Sequence, residues 1–325
     1  MSNIASNSER FLNQYDFKKR NYNIIIHSSN ATGKYAFTNH IIGKYYELNN
    51  IEYSNDLTMS PDIFYLSLPL YNKSGKFERN INNNERLLYE FGFEDKFDNF
   101  RVGTDISIDQ IRDLKEFTNI SARYKHKFII INNCDRLNNQ SSAALLKTLE
   151  ETNSPCIFLL LASELESIKD TIKSRCHTFV YRNNVYQDKH DSHFDFYISS
   201  KPGLKEIDDE YEYLESYNSF ESELSDLYKN KINPATLSKV WMERGALSID
   251  YLLSLFYVLM KGFSIGEAND ITGIYNSLSK KIPINSSRAI AIIRILYAFK
   301  IDMQGNLNKK IFFDNLLIVL NKELY

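Results

Sequence analysis

The chain has 325 residues, 43% of them hydrophobic and 25% charged, with a formal net charge of −2. At about 150 residues per domain this length predicts two or three domains, and the composition is that of a globular protein with material for a sizeable core. The charge balance leaves no global nucleic-acid footprint, since a dedicated binder is basic overall; any DNA contact is then local or shared with partners.

The opening stretch, MSNIASNSERFLNQYDFKKR, has no apolar core segment and does not read as a signal peptide. A first buried strand is predicted at Asn23–Ile26, followed by a helix from Gly33-Lys34. Ile63–Leu66 is a weaker second strand. Phe128–Ile131 is a third, Ile157–Leu161 a fourth and Thr178–Val180 a short fifth. These are continuous β-branched and aromatic runs, which suit strands covered on both faces of a parallel sheet.

Helical patterns fall between the strands. Ser107 and Gln110 have capping-box spacing, with Ile108, Ile111 and Leu114 on one face. Gln140–Glu151 places Ala144, Leu145 and Leu149 at helical spacing. Strand and helix alternation predicts a doubly wound α/β domain with its site at the carboxyl ends of the strands.

Beyond residue 182 the chain turns polar and acidic up to Glu215, then helical. Tyr251–Lys261, Ala289–Phe299 and Ile311–Leu320 are apolar nearly all round and are expected as buried helices. The longest apolar stretches, such as Tyr251–Met260, have about half the length of a bilayer span. No membrane segment is expected. Cys134, Cys156 and Cys176 form no C-x-x-C pair. A four-cysteine zinc site is therefore not expected, and the sparse cysteines fit a reducing cytoplasm.

Three motifs carry chemistry. Ser28-Ser29-Asn30-Ala31-Thr32-Gly33-Lys34-Tyr35 follows a strand and opens a helix, the context of a phosphate-binding loop, G-x-x-x-x-G-K-[ST]. In such a loop backbone N–H groups hold phosphates, Lys reaches the β- and γ-oxygens and a hydroxyl binds Mg²⁺. Gly33 and Lys34 remain as the candidate nucleotide-binding residues. Ser28 stands for the first glycine, where a glycine-only backbone geometry is expected to be lost. Tyr35 stands for the Mg²⁺ hydroxyl, and its phenol lies too far from the backbone for that role.

The third strand ends in Asn132-Asn133 where acids would hold Mg²⁺ and polarise water. Amides bind Mg²⁺ weakly and are no base near pH 7. Asn is abundant throughout, so either change alone says little; together with Tyr35 they remove three parts of one mechanism. Ser174-Arg175-Cys176 precedes the last strand. A lone Arg there is solvated or pairs with the helix C-terminus, or else reaches a partner's γ-phosphate as an arginine finger. The residues alone leave both open.

Together these segments resemble the delta-prime family of bacterial DNA polymerase III clamp-loader subunits, within the AAA+ superfamily. Ser60-Pro61-Asp62-Ile63 resembles its HPD element, and Ile108–Leu114 its IDQIREL helix. Phe128–Leu137 is similar to its Walker B segment, Ser142–Glu151 to its ANALLKTLEEP helix, and Thr171–Cys176 to its TIxSRC signature; Asn306–Leu317 is a weaker match. The likeness is specific over residues 105–180, suggestive over 22–70 and thin beyond 182.

The resemblance implies a RecA-like AAA+ domain with a degenerate P-loop site at 1–182, a small helical lid at 183–230 and a helical collar for oligomerisation at 231–325. It implies a non-hydrolysing subunit of a five-membered ring that loads the sliding clamp on primed DNA. Its partners would be gamma/tau and delta subunits, with the beta clamp and primer-template DNA reached through the complex. Arg175 would act in trans on ATP held by a neighbour, and Ser163 would align with the sensor-1 position.

Two departures stand out: residues 41–100 lack the cysteines of the family's zinc module, and the lid shows no clear sensor-2 motif. An active gamma/tau-like ATPase subunit is a second reading, which needs the missing Mg²⁺ ligands. A stand-alone nucleic-acid-binding regulator is a third, opposed by the acidic 183–215 stretch.

Overall fold

The computed structural model describes residues 3–53, 60–91, 97, 99–182, 190–207, 216–245, 247–262, 271–302 and 308–324. The chain divides into two compact units, Met1–Tyr89 with Glu94–Asn183, and Glu90–Phe93 with Asn184–Tyr325.

In the first unit, helix α1 spans Asn3–Gln14, strand β1 Tyr22–His27 and helix α2 Lys34–Leu48. Strands β2 (Ile63–Leu66), β3 (Pro69–Asn72) and β4 (Phe77–Asn80) follow, then α3 (Asn83–Glu90), β5 (Phe100–Val102) and α4 (Ile108–Asn119). The unit closes with β6 (Lys127–Asn132), α5 (Asn139–Glu150), β7 (Cys156–Ala162), the single turn α6 (Asp170–Lys173) and β8 (His177–Val180).

All five predicted strands form one sheet, ordered β2-β6-β7-β1-β8 and parallel throughout. Successive side chains of a strand point to opposite faces. Ile24, Ile26, Phe128, Ile130, Leu159 and Leu161 lie in one buried cluster with α2 residues such as Phe37 and Ile41. Ile25, Ile129, Ile131, Phe158 and Leu160 lie in a second, with Ile111 and Leu114 of α4 and Leu145 of α5. Burial on both faces is the reason the strands read as unbroken apolar runs rather than alternating ones.

Polar side chains fix the ends of these elements. Ser107 and Gln110 make the predicted capping box, at 2.8 and 3.3 Å. Asn138 caps α5 by accepting from the Gln140 and Ser141 amides. Asp62, in the HPD-like element, is buried; its carboxylate accepts the Arg123 and Tyr124 amides at 2.9 and 2.7 Å. That Asp is structural.

A second sheet, antiparallel β4-β3-β5, was not legible in the sequence. Its strands are three or four residues long, and Phe77-Glu78-Arg79-Asn80 is largely exposed. It turns at Gly75 (φ 79°), where Asn72 Oδ1 accepts the Ser74 and Lys76 amides. This sheet lies in the part of the chain where the resemblance called for a zinc module. Among the described residues no three His, Cys, Asp or Glu side chains gather as a metal site.

The second unit is helical. It comprises α7 (His193–Ser200), α8 (Phe220–Tyr228), α9 (Pro234–Arg244), α10 (Leu247–Gly262), α11 (Ile271–Lys281), α12 (Ser286–Asp302) and α13 (Lys309–Leu324). The three predicted apolar helices fall within α10, α12 and α13. They are not uniformly buried, however. Phe312, Phe313, Leu316 and Leu317 of α13 are inside, whereas Ile311 and Ile318 are 59% and 60% exposed. On α12, Ile290 and Tyr297 are also exposed. Apolar composition did not distinguish a core face from an outward stripe seven residues apart. Asn306, Leu307 and the acidic Asp208–Glu210 lie outside the described residues.

Two charged clusters tie these helices together. Asp250 of α10 meets Lys201 at 2.8 Å, Lys300 of α12 at 3.3 Å and the Tyr197 hydroxyl of α7 at 3.0 Å. Glu223 of α8 takes a forked pair from Arg244 of α9, at 2.7 and 2.8 Å, and the Trp241 indole N–H at 2.7 Å. Among the described residues no single helix is long and apolar enough to cross a membrane.

His193 starts α7 fully buried, with Nε2 3.2 Å from the Ser254 hydroxyl. Burial pushes its imidazolium down to about 3. An unfolded histidine titrates near 6.5, so on acidification through that range the unfolded chain takes up a proton that the fold refuses. Stability of this unit is therefore lost progressively as pH falls below about 6.5. We expect the urea midpoint reported by Trp241, the single tryptophan, to fall between pH 7 and pH 5 by the equivalent of about 2 kcal/mol. His193→Phe should flatten that dependence.

Candidate functional site

The phosphate-loop segment connects β1 to α2 at the carboxyl edge of the parallel sheet. Ser28 continues the strand, its amide donating to Ala162 O at 3.1 Å. The left-handed residues are Ala31 (φ 57°) and Gly33 (φ 88°), and Ser28 is not among them. The expected loss of glycine geometry at position 28 is thus corrected: the backbone demand falls at 31 and 33. Gly33 meets it without a Cβ, and Ala31 bears it as a strained non-glycine residue.

Lys34, at the first turn of α2, is 4% exposed. Its ammonium donates to Ser28 O at 2.8 Å, Ser29 O at 3.1 Å and the Ser163 hydroxyl at 2.7 Å. An ammonium has three N–H bonds, and protein acceptors meet each of them. Ser163, just past β7, donates its own O–H to Asn30 Oδ1. The two ends of the site, loop and β7, are therefore joined through one lysine and one serine. His27 lies under the loop; burial and then the Lys34 charge lower its pKa.

Asn132 and Asn133 end β6 at the same edge, Asn132 pairing in register with Leu161. They are 1% and 7% exposed. The Asn132 amide donates to the Tyr65 hydroxyl at 3.3 Å and to Asn83 Oδ1 at 3.5 Å. The Tyr35 ring packs edge-on to Tyr65, with centroids 5.6 Å apart. Burial pushes the Tyr65 phenol up to about 12, so it is neutral at physiological pH. Asn83 Oδ1 also accepts from Arg86, which is buried. Tyr35, Tyr65, Asn132 and Asn83 thus join as neutral side chains, with the buried Arg86 on Asn83, where a catalytic site would carry carboxylates around Mg²⁺. A nearby carboxylate, Asp135, accepts the Ser163 and Glu164 amides at 2.8 and 2.9 Å and so holds the turn after β7.

Arg175 follows α6 and precedes β8, at the amino edge of the sheet. Its Nε donates to Glu150 at the end of α5, and Nη1 donates to Thr171 O at 3.0 Å. The side chain is 39% exposed. Asn23, near the start of β1, donates to Arg175 O at 3.2 Å. Asn23 and Ser28 are five strand residues apart, roughly 16 Å at about 3.3 Å per residue. The guanidinium and the Lys34 loop therefore stand at opposite ends of β1, beyond the reach of an arginine side chain. Cys176 beside it packs against the core, and burial pushes its thiol up to about 12.

The fold thus gathers Gly33, Lys34, Asn132 and Asn133 at one edge and leaves Arg175 at the other. Asn30, Tyr65, Asn83 and Asp135 were missed. Asp135, two residues past the Asn pair, carried a weak positional signal; the others meet the site only through the fold.

Residues 71–184, about a third of the chain, match the family model described as "DNA polymerase III, delta subunit". The chain is 40% identical over 75 residues to DNA polymerase III subunit delta' of Haemophilus influenzae, covering 23% of each protein. It is 37% identical over 76 residues to subunit gamma/tau of Mycoplasma pneumoniae, covering 23% of this chain and 11% of that protein. It is also 37% identical over 81 residues to subunit tau of Bacillus subtilis, covering 25% and 14%. The matched segments span less than a quarter of the length of these curated relatives.

A lysine so enclosed is part of the fold. Lys34→Met keeps the volume but strands the Ser28, Ser29 and Ser163 acceptors. It should lower the unfolding free energy of the first unit by about 2 kcal/mol, measured by urea titration with far-ultraviolet circular dichroism.

Proposed function

We propose, from the match of residues 71–184 to the DNA polymerase III delta-subunit family model, that the chain is a non-hydrolysing, delta-prime-type subunit of the DNA-replication clamp loader. In this reading its own site performs no turnover, and Arg175 acts as an arginine finger on ATP bound to a neighbouring gamma/tau-type subunit. Residues 183–230 form a lid and 231–325 the collar that joins the ring in the cytoplasm. The delta subunit, the beta clamp and primer-template DNA are reached through the assembled complex.

The observation that carries this reading is the separation of Arg175 from its own loop by the length of β1. A guanidinium at the far edge of the sheet cannot serve the phosphate site of its own chain. Its exposure at that outer edge supports a role on another chain's nucleotide. Such a group stabilises charge on the transferring phosphoryl in the transition state. Two further features support the reading. The uncharged end of β6 offers Mg²⁺ no carboxylate, and the exposed pairs Ile290/Tyr297 and Ile311/Ile318 give the collar helices apolar faces of the kind that subunit contacts cover.

An active gamma/tau-type motor is favoured by the similarity to the gamma/tau and tau subunits. It is opposed by Tyr35, Asn132 and Asn133, neutral side chains at the motif positions where such a motor needs its Mg²⁺ ligands. Arg175→Ala, introduced into the reconstituted complex, should leave ring assembly intact. It should slow DNA-stimulated ATP hydrolysis, by up to ~10³-fold at the site served and less in the total rate. Undiminished hydrolysis in an assembled ring would remove the role given to Arg175.

A further inference from the structure

The guanidinium of Arg175 is held on two sides. Nε–H goes to the Glu150 carboxylate; Nη1 goes to Thr171 O at 3.0 Å and lies 3.5 Å from the Ser174 hydroxyl. No described residue takes a proton from Nη2. The backbone beneath is held as well. The Asn23 amide donates to Leu149 O at 3.3 Å and to Arg175 O at 3.2 Å, so one side chain from β1 joins the last turn of α5 to the arginine's own peptide. Glu150, 49% exposed, is the C-terminal residue of α5. A carboxylate at a helix C-terminus is electrostatically unfavourable, so α5 gains nothing from an acid there. What the acid does is grip the arginine.

Resting on the finger role proposed above, we infer that Glu150 is a positioning residue for Arg175, holding the guanidinium by its inner N–H groups so that the Nη2 edge faces outward to meet a neighbour's phosphate. Arginine has high rotamer entropy, and a planar fork loses less of it per bond when pre-organised. A finger already fixed in the unassembled subunit does not have to be ordered when the neighbour's transition state forms. The phosphate oxygens bond to Nη2 without displacing Glu150 or Thr171. Glu150 touches neither nucleotide nor reacting atoms and acts only through Arg175.

The test is steady-state ATP hydrolysis by the reconstituted, DNA-stimulated complex carrying wild-type chain, Glu150→Ala, Glu150→Gln, Arg175→Ala or the Glu150→Ala/Arg175→Ala double variant. Glu150→Ala should lower kcat roughly two- to five-fold, the worth of one exposed ion pair, with KM for ATP unchanged. Glu150→Gln keeps an acceptor for Nε–H and should recover part of the loss. In the Arg175→Ala background Glu150→Ala should add nothing. If Arg175→Ala slows the complex and Glu150→Ala does not, the positioning role is wrong and the finger stands. If Arg175→Ala itself has no effect, both are wrong. Equal losses from Glu150→Ala with and without Arg175 would also overturn the inference, since the glutamate would then act on something else.

Discussion

A buried charge must be paired or fully hydrogen-bonded, and the end of β6 meets that constraint by carrying no carboxylate at 132 or 133. Two carboxylates at 132 and 133 would be nearly inaccessible to water and would need a metal ion beside them. Two amides need only hydrogen-bond partners, which Tyr65, Asn83 and Ser67 supply. Tyr35 then fits where a hydroxyl and its ion would stand, because its ring has another neutral ring to pack on. The single cation at the loop, Lys34, turns inward to carbonyls and a serine. Lys34, Ser163, Asn132 and Asn133 are thus hydrogen-bonded within the site.

Sheet polarity determines the rest. A parallel sheet has one carboxyl edge and one amino edge. The loop, the Asn pair and Ser163 follow the ends of β1, β6 and β7, so they share the first. Arg175 leads into β8, so it belongs to the second, beside Asn23 and the end of α5. An arginine placed there faces outward by topology, and Glu150 and Thr171 give it an orientation. The two sequence segments most like the clamp-loader family, the LLKTLEE helix and the SRC triplet, meet in this structure through the Arg175–Glu150 pair.

The fold was legible where burial dictates the sequence. Ile24–Ile26, Phe128–Ile131 and Ile157–Leu161 are apolar because both sheet faces are covered, and their runs marked strands without ambiguity. The capping box at Ser107 was legible because it is a local device. Strand β4, Phe-Glu-Arg-Asn, was not, since a short exposed hairpin needs no apolar pattern. The departures from the motif at Tyr35, Asn132 and Asn133 were visible as absent Mg²⁺ ligands. Their partners were not, because Tyr65 and Asn83 approach from other elements. The glycine-only backbone geometry was assigned to position 28 by motif analogy, whereas the left-handed residues are 31 and 33. Likewise, apolar helices α12 and α13 read as wholly buried, although Tyr297 and Ile318 face outward.

The central claim is that this chain's own phosphate site does not turn over ATP. Phosphate release by the purified chain with Mg²⁺ and ATP measures it directly. The account predicts a rate no higher for the wild-type chain than for Lys34→Ala. Release by the wild-type chain that is abolished in Lys34→Ala would contradict it.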